Sequence, residues 1–167
     1  MTDTTARLAL PLLQPGQAQK ELFHDEALTL LDLAVQPVVE AVGLDTPPAD
    51  PVPGQAWIVG TAPAGDWAGQ PGALAGWTEG GWRFIAAIDG ASVWSRADRC
   101  RARHDGGAWV VGEARVRHVS VGGVPVLGAR AAAVSDPAGG ATVDAEARGA
   151  VAGILAAMRA HGLIEGG

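Results

Sequence analysis

Glycine-rich turns recur so closely between Gln55 and Leu127 that this stretch has room for short strands and hairpins but not for a long helix. The apolar runs between those turns read as strands at Ala56 to Val59, Leu74 to Trp77, Trp82 to Ile88, Ser92 to Trp94, Ala108 to Val111, Arg115 to Val119 and Val124 to Leu127. Two of the turns are hairpin candidates: Glu79-Gly80-Gly81 between Trp77 and Trp82, and Asp105-Gly106-Gly107. Trp57, Trp67 and Trp77 stand ten residues apart, a spacing that suits a repeated strand-and-turn unit.

The flanks show a different period. Residues 1–16 read as an extended arm, because Leu8, Leu10 and Leu12 alternate while Pro11 and Pro15 block a helix. From Gln17 the apolar residues recur at helical steps, with Phe23, Ala27, Leu30, Leu31, Ala34 and Val35 on one side and Lys20, Glu21, Asp25 and Glu26 on the other. Pro37 breaks this helix, Val38 to Val42 is read as one further turn, and Gly43 closes a helical segment of residues 17–43. The proline-rich segment Asp45 to Gly54 is a stiff connector. A Trp-containing β-rich core then occupies residues 54–128, and residues 136–167 supply a loop and a C-terminal helix from Asp144 to His161. In that helix Ala147, Val151, Ile154 and Met158 form an apolar stripe, and Gly162 suits the C-cap. The expected fold is α+β: arm, amphipathic helix, a centre of short antiparallel strands and a C-terminal helix, in one compact domain.

Composition excludes several function classes. The chain carries a net charge of -6, which opposes general nucleic-acid binding, since phosphate neutralisation needs a basic face. Arginine almost wholly replaces lysine and Asn and Tyr are absent, the usage of a GC-rich coding sequence. Cys100 stands alone, which rules out an intrachain disulfide or a cysteine metal cluster and marks a small apolar residue. The run Leu8 to Leu13, interrupted by Pro11, is too short for a signal-peptide core or a membrane span, so synthesis in the cytoplasm is expected.

Reactive constellations are few. His104, Asp105 and His118 lack a metal-ligand spacing, and His24-Asp25-Glu26 point three ways from a helix, so no metal and no cofactor are expected. Asp66, Glu79 and Asp89 lie in turns among the tryptophans, where a glycosidase acid pair would sit and where turn carboxylates are also commonplace. Gly122-Gly123 and Gly139-Gly140 lack the residues of a nucleotide-binding loop. No catalytic residues are assigned. Most tryptophans should build the core, and Trp67, beside Asp66 and a glycine turn, is the candidate for an exposed sugar-stacking platform. Arg96, Arg99, Arg101, Arg103, Arg115 and Arg117 hold half of the positive charge, and Arg99, Arg101 and Arg103 alternate as one strand face would. That stripe is read either as a solvated edge or as a docking surface for an acidic partner.

The run Leu10-Pro11-Leu12-Leu13-Gln14-Pro15-Gly16-Gln17-Ala18-Gln19-Lys20-Glu21, with His24-Asp25-Glu26-Ala27, Gly54-Gln55-Ala56-Trp57, Gly65-Asp66-Trp67, Gly80-Gly81-Trp82 and Val93-Trp94, resembles an uncharacterised-domain family encoded among phage-like structural genes. The resemblance implies a head-spike component of a gene transfer agent: a non-enzymatic ring, a pentamer at a capsid vertex, that carries a spike fibre and aids attachment to the recipient's capsular polysaccharide. Leu10, Leu12, Gln17, Lys20, Phe23 and His24 are the expected contacts with the capsid protein or a neighbouring subunit, and Trp67, Arg99, Arg101 and Arg103 with a glycan or acidic partner. The protein would end on the surface of a virion-like particle, with no contact to nucleic acid or membrane. A monomeric carbohydrate-binding module that meets polysaccharide through an exposed Trp is the rival expectation.

Overall fold

A computed structural model describes residues 20–142 and 144–166, which divide into two compact units between Glu113 and Ala114. The first unit opens with helix α1 (Lys20–Ala34), whose apolar spacing turns Leu33 inward. Gln36 then adopts a left-handed φ of 49° and Pro37 offers no N–H, which together stop the helix.

After Pro37 the chain departs from the expected further helical turn. Val38–Val39 (β1) and Val42–Leu44 (β2) are strands, as β-branched valines after a proline favour. The helical segment therefore ends at Ala34 and not at residue 43. The remaining strands of this unit are β3 (Ala56–Val59), β4 (Leu74–Thr78), β5 (Gly81–Ile85), β6 (Ser92–Ser95), β7 (Cys100–Asp105) and β8 (Ala108–Val111). They form two four-stranded sheets, ordered β1-β6-β7-β8 and β2-β3-β4-β5. Both expected hairpins occur, with Thr78 opposite Gly81 and Asp105 opposite Ala108. Gly106 and Gly107 take φ values of 59° and 85°, the left-handed pair that a tight two-residue hairpin turn requires.

Pairings within the unit are antiparallel except that β1 joins β6 and β2 joins β3 in parallel. Residues 37–44 thus cross from one sheet to the other. Their backbone is bonded to both: Trp94 N donates to Pro37 O (2.9 Å), Arg96 N to Val39 O (2.9 Å), Glu40 N to Ala56 O (2.8 Å) and Ile58 N to Ala41 O (3.1 Å).

Between the sheets lies one core of Val39, Ala56, Ile58, Leu74, Val93 and Ala102. The opposite face of β2-β3-β4-β5 carries a second, in which Trp57, Val59 and Ala75 pack with Trp67, Trp77, Trp82 and Phe84. Trp67 stands on one turn of 3-10 helix (Gly65–Trp67) and meets Trp82 edge-on, with centroids 5.1 Å apart and planes at 80°. The evenly spaced tryptophans converge on one cluster from unlike elements, so their spacing is not a structural repeat. Helix α1 seats Leu33 over Gly76, where a Cβ would collide with the leucine methyls, and Glu26 pairs with Arg83 at 2.8 Å.

The second unit holds the hairpin β9 (Val119–Val121) and β10 (Val124–Leu127), and then helix α2 (Ala145–Ala160). Asp144 caps α2 by accepting from Ala147 N at 2.9 Å, and Gly162 (φ 68°) closes its end. The β-rich stretch expected over residues 54–128 as part of one domain is accordingly split, because among the described residues β9 and β10 form a two-stranded sheet of their own. The expected strand at Arg115 to Val119 begins instead at Val119.

Trp67→Ala should cost about 3–5 kcal/mol, as for other large aromatic truncations in a packed core. Equilibrium urea unfolding would show this as a lower midpoint; a variant as stable as the parent would contradict the central place of Trp67 in the cluster.

Candidate attachment and assembly surfaces

Strand register decides which side chains leave the first unit. In the sheet β1-β6-β7-β8, Val93 opposite Ala102 and Ser95 opposite Cys100 face inward, so Trp94 opposite Arg101 and Ser92 opposite Arg103 face out. Trp94 is 43% exposed, unusual for so large an apolar ring. Arg96, at the end of the same strand, lies 3.6 Å from Glu40, and Arg103 is tied to Asp105 at 3.0 Å. Arg101 is exposed beside Trp94. The turn after β6 is held by Ser95 Oγ donating to Asp98 Oδ2 (2.5 Å), and it projects Arg99 to solvent with a left-handed φ of 54°. An indole face and several guanidinium groups thus share one exposed side of a unit that is acidic by sequence.

Two site expectations are corrected here. Trp67 is not a platform: it is fully buried, because the glycine turn beside it folds the ring into the tryptophan cluster. Arg99 does not continue the face of Arg101 and Arg103, because β7 begins only at Cys100. Trp94, which sequence reasoning passed over, takes the exposed role. Both Val93 and Trp94 are apolar, so composition alone gave no sign of which one faces out. Of the expected assembly contacts, Leu10, Leu12 and Gln17 lie outside the described residues, as do the side chains of Lys20 and Phe23 on α1. His24 is exposed on that helix, with Leu22 and Leu31.

A cleft of about 650 Å³ opens within the first unit, lined by Asp45, Thr61, Gln70, His104 and Trp109 among glycines and apolar residues. Two of its polar residues help to hold the fold. Trp109 Nε1 donates to Gly72 O at 2.8 Å, and Asp45 Oδ1 accepts from Ala62 N at 2.9 Å. Asp89 Oδ1 lies 2.9 Å from His104 Nδ1 but off the line of an N–H bond, while the imidazole packs edge-on against Trp109 at 5.5 Å. Among the described residues, no group of three or more His, Cys, Asp or Glu is placed to hold a metal ion. Asp66 and Glu79, the carboxylates considered for hydrolysis, are exposed in separate turns. No described helix is long and apolar enough to cross a membrane.

The second unit presents a different surface. Register places Val121 opposite Val124 and, past an irregularity between Pro125 and Leu127, Val119 opposite Leu127, and these four apolar residues are all exposed, as is Val126. On α2, Val151 and Ile154 are exposed too. Leu155 and Ile164 are its buried apolar side chains among the described residues. The segment before α2 is tied to the helix by Arg159 pairing with Asp136 at 3.1 Å, and to the chain that follows the helix by a β-bridge between Ala131 and Ile164.

Residues 24–110 match the model of a family described as "Protein of unknown function (DUF2793)". The match runs from the first turns of α1 to β8 and stops before the second unit. No curated protein matches the chain.

Exposure ranks the indoles for chemical modification. Limiting N-bromosuccinimide should oxidise Trp94 first and Trp67 last, and Trp94→Phe should remove the fastest-reacting indole; early loss of Trp67 would contradict the placement of both rings.

Proposed function

The chain belongs to the DUF2793 family, with over half of its length matched, and we propose that it serves there as a structural and attachment protein of a phage-like particle, the head-spike base of a gene transfer agent. In this reading the protein is not an enzyme. Copies form a ring, a pentamer at a capsid vertex, that contacts the capsid protein on one side and a spike fibre on the other. It is made in the cytoplasm and displayed on the particle surface, without nucleic-acid or membrane contacts and without a cofactor. The N-terminal arm with Leu10, Leu12 and Gln17, and α1 with Lys20, Phe23 and His24, are its proposed contacts to capsid or neighbour.

One observation carries the attachment role: exposed Trp94 stands opposite exposed Arg101 on one sheet face of an acidic chain, with Arg96 and half-buried Arg103 on the same face and exposed Arg99 in the turn before β7. A flat apolar ring stacks on sugar rings, and guanidinium groups pair with carboxylates in two-pronged geometry. A recipient's anionic capsular polysaccharide offers both features. Opposite charge also speeds encounter, which suits a surface that must capture a large, slow partner. The particle setting rests on the resemblance of the motifs between Leu10 and Trp94 to those of an uncharacterised-domain family encoded among phage-like structural genes.

The same Trp94 face favours a second reading, a monomeric carbohydrate-binding module with no particle. Electron microscopy of particles from cells with and without the gene separates the two. The spike-base reading expects vertex projections to vanish with the gene, whereas unchanged particles would leave the module. Particles carrying Trp94→Ala with Arg101→Gln should keep their projections and bind encapsulated recipients about tenfold more weakly, the equivalent of ~1.4 kcal/mol. Undiminished binding would contradict the attachment surface.

A further inference from the structure

We infer that copies of this chain join through the second unit, Ala114–Gly167, with the exposed apolar residues of the hairpin and the exposed stripe of α2 in one copy covered by the same unit of its neighbours. The inference rests on the reading of the protein as a ring, and it locates the contact that the ring needs. Val119, Val121, Val124 and Leu127 on the hairpin, and Val151 and Ile154 on the helix, are exposed apolar side chains in a unit that contains no Phe, Tyr or Trp to build a core of its own. An apolar surface of this extent on so small a unit marks an interface.

Charge selects the occupant. The whole chain carries -6, so most of its surface repels another copy. In the second unit, however, Arg115, Arg117, Arg130, Arg148 and Arg159 nearly balance Asp136, Asp144, Glu146 and Glu165, which leaves it within one charge of neutral. Copies can therefore meet there without electrostatic cost, whereas a strongly acidic or basic partner gains nothing from a neutral face. A second copy also presents the matching apolar surface at equal concentration. The six tryptophans all precede Glu113, which makes indole fluorescence a report on the first unit alone.

Sedimentation velocity of the full chain over a wide concentration range tests the inference. The parent should sediment as an oligomer. Val121→Asp and Ile154→Asp should each weaken association at least about tenfold, with unchanged tryptophan fluorescence, because a charge in an apolar contact is left unpaired. Ile154→Met should retain the oligomer, which shows that an apolar side chain is what the contact requires. Ile88→Asp, at an exposed apolar position of the first unit, should sediment as the parent does. A parent chain that stays monomeric throughout overturns the inference, as does an oligomer that survives both aspartate substitutions. A chain that associates through this unit yet has no place in any particle supports the inference and defeats only the spike-base reading.

Discussion

Because β3 is covered on both faces, the four apolar residues from Ala56 to Val59 must serve two cores at once. Ala56 and Ile58 face the neighbouring sheet, while Trp57 and Val59 face the tryptophan cluster. A strand buried on both sides reads as a continuous apolar run, and it leaves no tolerance for a slip in register. The rest of the first unit is arranged around this. Residues 37–44 bond to both sheets and hold them in register, Leu33 closes one end over Gly76, and Trp109 Nε1 latches onto Gly72 across the cleft. Gly60 shows how tight the edge is, since a Cβ there would lie 2.8 Å from Gly43 O.

Where local signals were decisive, the sequence was legible. β3, β8 and β10 fall at the residues expected, because Gly or Pro punctuates each apolar run, and α2 keeps its Asp144 cap and Gly162 stop. Val38 to Val42 reads as a further helical turn because apolar spacing cannot separate such a turn from short strands, and pairing with distant β6 and β3 decides the matter. The arginine alternation pointed to a real strand face for Arg101 and Arg103, although Arg99 belongs to the preceding turn. The exchange of roles between Trp67 and Trp94 is of the same kind. Which indole is buried depends on contacts with Trp57 and Trp82 that no local pattern encodes.

The two units solve the problem of burial in opposite ways. The first packs most of its aromatics into a core and exposes the indole of Trp94 beside Arg101 on a sheet face. The second has aliphatic side chains on a hairpin and a helix and encloses few of them. Helix α1, the conspicuous amphipathic motif of the sequence, docks on its own sheet through Leu33 and the Glu26–Arg83 pair, although Leu22 and Leu31 stay exposed. In the functional reading, this division gives a rigid module for contact with an acidic surface and a module that becomes fully ordered only among its copies.

Hydrogen exchange measured as a function of protein concentration tests that last claim most directly, since protection gained by association obeys mass action and protection intrinsic to a fold does not. Amides of α2 (Ala145–Ala160) should gain protection as concentration rises, while those of β3 (Ala56–Val59) stay equally protected throughout. Full protection of α2 at dilutions where the chain is a monomer would contradict the account.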